Sequence, residues 1–234
     1  FGYLFDSGIY ETFKTPIPKD DPIQFVAVKP YIDQLKSARK KTGLDCSMVV
    51  ASGEINKIKC TVVASDFSFM GASIEAAEGE AILFASMHAI ENKQPLIIVA
   101  QGGGMRMQAN MISLSQMPRT TVAINEVKAA GLPYIVIMAD PVAGGITASY
   151  AMLGDLHIAE QNATVAFAGK RVISGTVKEE LPANFQTAEA VLDAGFIDRI
   201  CHRKDLNEEI GKLLSILLKK NSISTEEINE TSED

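Results

Sequence analysis

The chain has 234 residues, 47% of them hydrophobic and 22% charged, which excludes a disordered or fibrous class and leaves core enough for one large domain. Its formal charge is −7, but Glu226, Glu227, Glu230, Glu233 and Asp234 crowd into residues 221–234, which contain no base; the body is near neutral and carries no basic footprint for nucleic acid. No apolar run is long enough for a transmembrane helix and Phe1-Gly2-Tyr3-Leu4 lacks the charged start of a signal peptide, so a cytoplasmic protein without membrane contact is expected.

In chain order, residues 1–28 mix aromatics with Pro16, Pro18 and Pro22 and read as an extended segment with one helical turn. The abrupt start leads to the expectation that a further N-terminal portion precedes it. A helix is predicted over residues 30–42, apolar along Tyr31, Leu35 and Ala38 and basic along Lys36, Arg39, Lys40 and Lys41. The basic side reads either as a solvated face or as a contact for phosphates or an acidic partner. Residues 47–51 and 58–65 form a hairpin around Gly53-Glu54-Ile55-Asn56-Lys57, and 67–73 a turn. Residues 79–92 form a helix expected to face the core with Leu83, Met87 and Ile90.

Residues 96–100 are a buried strand closing on Gly102-Gly103-Gly104, with helix-compatible sequence from near Met105. A helix pattern from Met107 should break at Pro118, with Thr120-Thr121 capping a second piece that ends near Gly131. Tyr134 to Ala139 read as a strand buried on both faces and ended by Asp140-Pro141; Gly144-Gly145 follow, and Ile146 to Ala151 continue as a helix. Beyond these lie short strands at 156–159 and 164–167, a turn at Gly169-Lys170-Arg171-Val172 leading into a polar segment, a short helix at 187–194 and a strand at 196–200. An amphipathic helix carries Leu206, Ile210, Leu213, Leu214 and Leu217. The divisions are an extended segment 1–28, one α/β domain 29–220 and a disordered acidic tail 221–234.

Two strand-glycine-helix turns suggest two walls of one pocket, with unpaired N–H groups aimed at negative charge. Nucleotide-phosphate spacings such as G-x-G-x-x-G are absent, as is any Ser/His/Asp order or trusted carboxylate pair, and His88 and His157 read as structural. Cys46, Cys60 and Cys201 are widely spaced without a C-x-x-C, which argues against a disulfide framework or a zinc site and for buried apolar roles.

Taken together, Phe69-Met70-Gly71, Arg106-Met107-Gln108, Gly131-Leu132-Pro133-Tyr134, Asp140-Pro141, Gly144-Gly145, Ala151-Met152-Leu153-Gly154-Asp155, Ile158-Ala159-Glu160 and Phe167-Ala168-Gly169 with Arg171-Val172-Ile173 resemble the carboxyltransferase β subunits of bacterial acetyl-CoA carboxylases. That family lies within the crotonase-like superfamily. The likeness runs from about Tyr31 to Arg203.

The resemblance implies a crotonase-like fold of stacked ββα units and transfer of a carboxyl group to acetyl-CoA, giving malonyl-CoA, the first committed step of fatty acid synthesis. The carboxyl group would come from carboxybiotin held on a separate biotin carboxyl carrier protein. A carboxyltransferase α subunit would complete an α2β2 heterotetramer with the active site between subunits. Amides near Gly103 or Gly104 and of Gly145, on the Gly144-Gly145 turn, would form an oxyanion hole; the biotin left after decarboxylation would take the proton, so no side-chain base is needed. Arg106, Gly71, Lys170 and Arg171 are candidate substrate contacts. Family members usually carry an N-terminal four-cysteine zinc ribbon; this chain shows none, so no metal ligand is assigned.

The chain departs from the family pattern at Gly102, Met105 and Ala109, at Ala72 and Glu75 where glycines are usual, and at Lys170 where a proline is usual. Alternatives are another crotonase-like acyl-CoA enzyme, a hydratase or isomerase, or a non-catalytic assembly subunit.

Overall fold

Seven strands line up in one sheet in the order in which the chain makes them. In this computed structural model, which describes residues 1–177 and 180–219, β1 (Tyr10–Phe13), β2 (Met48–Ile55) and β3 (Ile58–Ser65) pair antiparallel. β4 (Leu96–Gly102), β5 (Tyr134–Val142), β6 (Leu156–Ala159) and β7 (Arg199–Ile200) then add parallel to β3. The acidic tail expected at 221–234 lies outside the described residues.

Antiparallel neighbours need only a tight turn, and Asn56-Lys57 supply it, both at positive φ (48° and 61°), as a two-residue hairpin requires. The strand thus continues through Ile55, past the expected turn at Gly53. Parallel neighbours need crossovers. α2 (Ala76–Asn92) carries the chain from β3 to β4, and α3 (Met111–Leu114) with α4 (Gln116–Ala129) from β4 to β5. An irregular crossover through residues 143–155, with a short 3-10 turn at Tyr150–Met152, joins β5 to β6, and α5 (Lys170–Val177) and α6 (Ala188–Asp193) lie between β6 and β7. α1 (Tyr31–Thr42) precedes β2, and α7 (Leu206–Leu217) closes the fold.

Alternation along the central strands divides the core in two. Ile98, Val136 and Met138 pack with Ala81, Ala85 and Ile124 from α2 and α4, while Ile97, Ile135 and Ile137 pack with Leu206, Ile210 and Leu214 of α7 and with Leu4 and Phe5. Both faces are covered, which is why these strands read as unbroken apolar runs.

Several expectations are corrected. α2 buries Ala77, Ala81, Ala85 and Ala89 and leaves Met87 61% exposed: a row of small residues lets the helix lie close on the sheet, so size outweighed hydrophobicity in choosing the face. Pro118 does not break a helix; it sits in the first turn of α4, where its missing N–H costs nothing, and Thr120 lies inside that helix. β5 runs through Pro141 to Val142, which pairs with Gly102 after a shift of register. Residues 164–167 make single bridges, Val165 to Val142 and Thr164 to Thr187, and not a strand. The expected turn at Lys170 is the start of α5. Residues 10–13, within the segment read as extended, form the edge strand β1.

Candidate active site

The chain leaves the adjacent parallel strands β4 and β5 through the two glycine turns, and the turns touch. A Cβ on Gly144 would lie 3.2 Å from the carbonyl oxygen of Gly103, and one on Gly104 would lie 3.4 Å from the amide nitrogen of Gly145. Gly104 (φ 117°) and Gly144 (φ 64°) adopt backbone conformations that side chains disfavour, so glycine is required twice over. The two turns expected to wall one pocket are brought into contact with each other.

A third turn packs behind them. Residues Met70–Ala72 form a short 3-10 turn with Gly71 at φ 66°; the Gly71 carbonyl accepts the Gly103 N–H at 3.4 Å, and the Ala72 carbonyl blocks any side chain at Gly102. Ile74 N–H donates to the Gly104 carbonyl at 2.9 Å and Arg106 N–H to the Ile74 carbonyl at 2.8 Å, while Ala143 N–H donates to the Gly102 carbonyl at 3.1 Å. The loop from Gly102 to Arg106 is thereby stitched on both sides.

The four candidate amides are not equivalent. Gly144 N–H is spent on the Phe167 carbonyl at 2.9 Å, and Gly103 N–H points to Gly71. Gly104 N–H and Gly145 N–H have no acceptor among the described residues. An amide left unpaired at a packed turn is costly unless something external meets it. No helix supplies the orientation: Ile146 to Ser149 wind through irregular turns, and the 3-10 turn spans only Tyr150–Met152. Thr147 Oγ1 donates to the Gly144 and Ala166 carbonyls, each at 2.8 Å, and Ser149 Oγ to the Gly145 carbonyl at 2.6 Å. Side-chain hydroxyls competing for the backbone replace the expected helix.

Met105 and Met117 close over Gly145, whose Cβ would come 2.7 Å from Met105 Cγ and 3.2 Å from Met117 Sδ. Beside this turn an apolar cavity of about 530 Å³ is lined by Thr147, Ala148, Ala166, Phe167 and Phe196, the two phenylalanines 70% and 65% exposed.

Arg106 is 2% exposed and donates all five of its hydrogens inward. Nε meets Ser73 Oγ (3.1 Å), Nη1 meets Tyr31 Oη (3.1 Å) and Glu75 (3.2 Å), and Nη2 meets the Ser73 carbonyl (2.5 Å) and Glu78 (2.7 Å). The guanidinium has no hydrogen left for a substrate; it braces the glycine loop against α1 and α2. Burial works against its charge, but Glu78 and Tyr31 more than offset that and hold it more basic than usual, whereas burial pushes the Glu75 carboxyl up despite Arg106. Sequence reasoning missed this network, although Glu75 and Glu78, three apart at a helix start, have capping-box spacing, and Glu78 does accept the Glu75 N–H at 2.9 Å.

Lys170 is exposed at the start of α5, three residues after Phe167, and Arg171 follows it; no contact brings Lys170 to the glycine turns. His88 and His157 hold structure: His88 Nδ1 lies 3.0 Å from Thr61 Oγ1, and His157 Nε2 accepts the Gly154 N–H at 3.1 Å. Cys46, Cys60 and Cys201 are buried, and among the described residues no group of three or more His, Cys, Asp or Glu is placed to hold a metal. No helix of the described residues is long and apolar enough to cross a membrane.

A sheet flanked by helices, with facing glycine turns at the ends of adjacent parallel strands, defines the chain as an α/β protein. Comparison carries this further: residues 23–232 match the carboxyl transferase domain. The chain is 61% identical over its full length to the acetyl-coenzyme A carboxylase carboxyl transferase subunit beta of Pelagibacter ubique, covering 76% of that protein, and 49% identical over 93% of its length to that of Rhizobium meliloti, covering 71%. The chain belongs to the carboxyl transferase domain family, within the group of these β subunits.

Solved structures agree on the fold, which is crotonase-like. A transcarboxylase 12S chain with methylmalonyl-coenzyme A bound superposes with TM-score 0.71 at 26% identity over 92% of this chain. The Pseudomonas malonate decarboxylase MdcD-MdcE hetero-dimer superposes with TM-score 0.69 at 20% identity, covering 93% of this chain and 83% of that one. The present chain spans only 40% of the transcarboxylase chain.

Proposed function

We propose that this chain is the carboxyltransferase β subunit of an acetyl-CoA carboxylase, which moves a carboxyl group to acetyl-CoA and forms malonyl-CoA. The observation that carries the reading is the pair of unspent amides, Gly104 N–H and Gly145 N–H, on turns in contact with each other. The methyl carbon of an acetyl thioester becomes a nucleophile when it loses a proton and its electron pair moves onto the thioester oxygen. That oxygen becomes anionic, and fixed amide donors lower the barrier because they need no reorganisation when the charge forms. The electron pair then returns to make the new carbon-carbon bond. Carboxybiotin, presented on a separate carrier protein, would supply the carboxyl group by cleavage of its N–carboxyl bond, and the biotin left behind would take the proton lost from the methyl group.

A carboxyltransferase α subunit is the natural partner. The exposed Phe167 and Phe196 rim an apolar cavity beside the second glycine turn, and the matching transcarboxylase chain is more than twice the length covered here. A hydratase or isomerase would require a positioned acid or base after the second turn, but Ile146-Thr147-Ala148-Ser149 offer no carboxylate and both hydroxyls are bonded to backbone carbonyls.

Malonyl-CoA-dependent carboxylation of free biotin, with and without the α subunit, tests the assignment. Turnover that requires the partner supports it; binding to the partner without turnover would make this an assembly subunit.

A further inference from the structure

Two methionines stand over the second glycine turn and have no part in the chemistry described so far. Met105 directly follows Gly102-Gly103-Gly104, and Met117 lies in the first turn of α4. A Cβ on Gly145 would lie 2.7 Å from Met105 Cγ, 3.0 Å from Met105 Cε and 3.2 Å from Met117 Sδ, so the two side chains together fill the space over the Gly145 Cα. Both are half-buried, and Met105 packs against the core on the side of α2 and α4.

The side chains are fixed at their bases. Met105 sits between two hydrogen bonds to one residue, Ile74 N–H to the Gly104 carbonyl at 2.9 Å and Arg106 N–H to the Ile74 carbonyl at 2.8 Å. The Met117 carbonyl accepts from Thr120 Oγ1 at 3.1 Å. Met105 is also one of the positions at which the chain departs from the pattern of its family.

A thioester oxygen that accepts from Gly104 N–H and Gly145 N–H would sit about 2.9 Å from each nitrogen, and the first acyl carbon beyond the carbonyl is only two bonds from that oxygen. Side chains already in contact with Gly145 are therefore within reach of that carbon and of whatever is attached to it. We propose that Met105 and Met117 gauge the acyl group: they leave room for an acetyl methyl and close off the space that one more methylene would take. The proposal rests on the CoA-thioester reading above and adds which residues set the length of the acyl chain. One methylene in an apolar pocket is worth roughly 10- to 200-fold in discrimination, and the three rotatable bonds of methionine let such a gauge yield, which places it toward the lower end.

The test uses the complex of this chain with the α subunit, native and with Met105→Ala, Met117→Ala or Met105→Leu. Biotin carboxylation from malonyl-CoA is compared, as kcat/KM, with that from methylmalonyl-CoA, whose acyl group carries one more methyl. The native complex should favour malonyl-CoA by about 10- to 50-fold. Met105→Ala should raise kcat/KM for methylmalonyl-CoA about tenfold above native, Met117→Ala should raise it less, and Met105→Leu, close in volume, should keep the native ratio. A general loss of structure cannot produce a gain on the larger substrate, and Met117→Ala carries the test should Met105→Ala not fold. Equal native use of both substrates, or proportionate losses on both in the alanine variants, would overturn the proposal. So would a native preference that neither alanine variant changes, which would place the acyl chain elsewhere, toward the cavity beside Thr147. Calorimetry with acetyl-CoA and butyryl-CoA separates the gauge from catalysis. If the native complex binds acetyl-CoA more tightly and Met105→Ala narrows the difference, yet nothing turns over, the gauge stands and the catalytic reading fails; if it binds neither thioester, both fail.

Discussion

The carbonyl oxygen of Gly103 lies so close to Gly144 that a side chain there would have only 3.2 Å of clearance, and the two turns pack directly against each other. Their contact helps explain the glycine at 144: the Gly103 carbonyl occupies the space in which a side chain there would stand.

Gly104→Ala keeps its N–H, but at φ 117° the added methyl twists the turn and swings that amide out of line, so kcat for malonyl-CoA-dependent biotin carboxylation is expected to fall by about 10² to 10³, as when one oxyanion donor is lost. The φ of 117° adds a stability cost of about 1 to 3 kcal/mol, so a melting curve must accompany the assay. Gly103→Ala is the control, because a Cβ there meets nothing within 4 Å; activity should stay within about twofold. Equal losses in both variants would remove Gly104 N–H from the site. Gly145→Val is a poorer probe, since its side chain would have to displace Met105.

Replacing Arg106 by Met should destabilise the protein by about 3 to 5 kcal/mol, because Glu75 and Glu78 would be left buried without their cation. Arg106→Lys keeps the charge but cannot make five directed bonds, and should fall between Met and the native residue. Urea unfolding at neutral pH measures both; a loss below about 1 kcal/mol for Arg106→Met would show that the network relaxes without it.

Gly79→Ala ought to stabilise an isolated helix by about 1 kcal/mol. In α2 the sign should reverse. The added methyl would run into the amide of Gln116, with Cγ at 3.1 Å, where α2 and α4 cross closely, and Gln116 cannot retreat without releasing Arg119, which it holds at 2.7 Å. A raised melting temperature would contradict the close crossing.

Burial holds the His157 imidazole below its usual 6.5, against the opposing pull of Asp198, and the neutral ring is what the structure uses as acceptor for Gly154 N–H. The unfolded chain protonates this ring near 6.5 and the folded chain only at lower pH, so the unfolded state binds more protons in between and stability is lost as pH falls through that window. The urea midpoint should drop from about pH 7 to about pH 5.5, and less so in His157→Gln. His88, also held low by burial, accounts for a slope that persists. Identical slopes with and without His157 would rule the ring out.

Local pattern alone specified the two central parallel strands, because a strand covered on both faces must be apolar at every position, as residues 96–100 and 134–138 are. It also located both glycine turns, since bare backbone at a strand end has few other uses. Contacts between distant residues decided the rest. Whether Arg106 meets a ligand or two carboxylates depends on where α1 and α2 place Tyr31, Glu75 and Glu78, and which glycine amides remain unspent depends on the Gly71 and Phe167 carbonyls arriving from elsewhere. Hydrogen bonds are exclusive: a donor is free or occupied only once every neighbour is in place, and no stretch of sequence holds that information by itself.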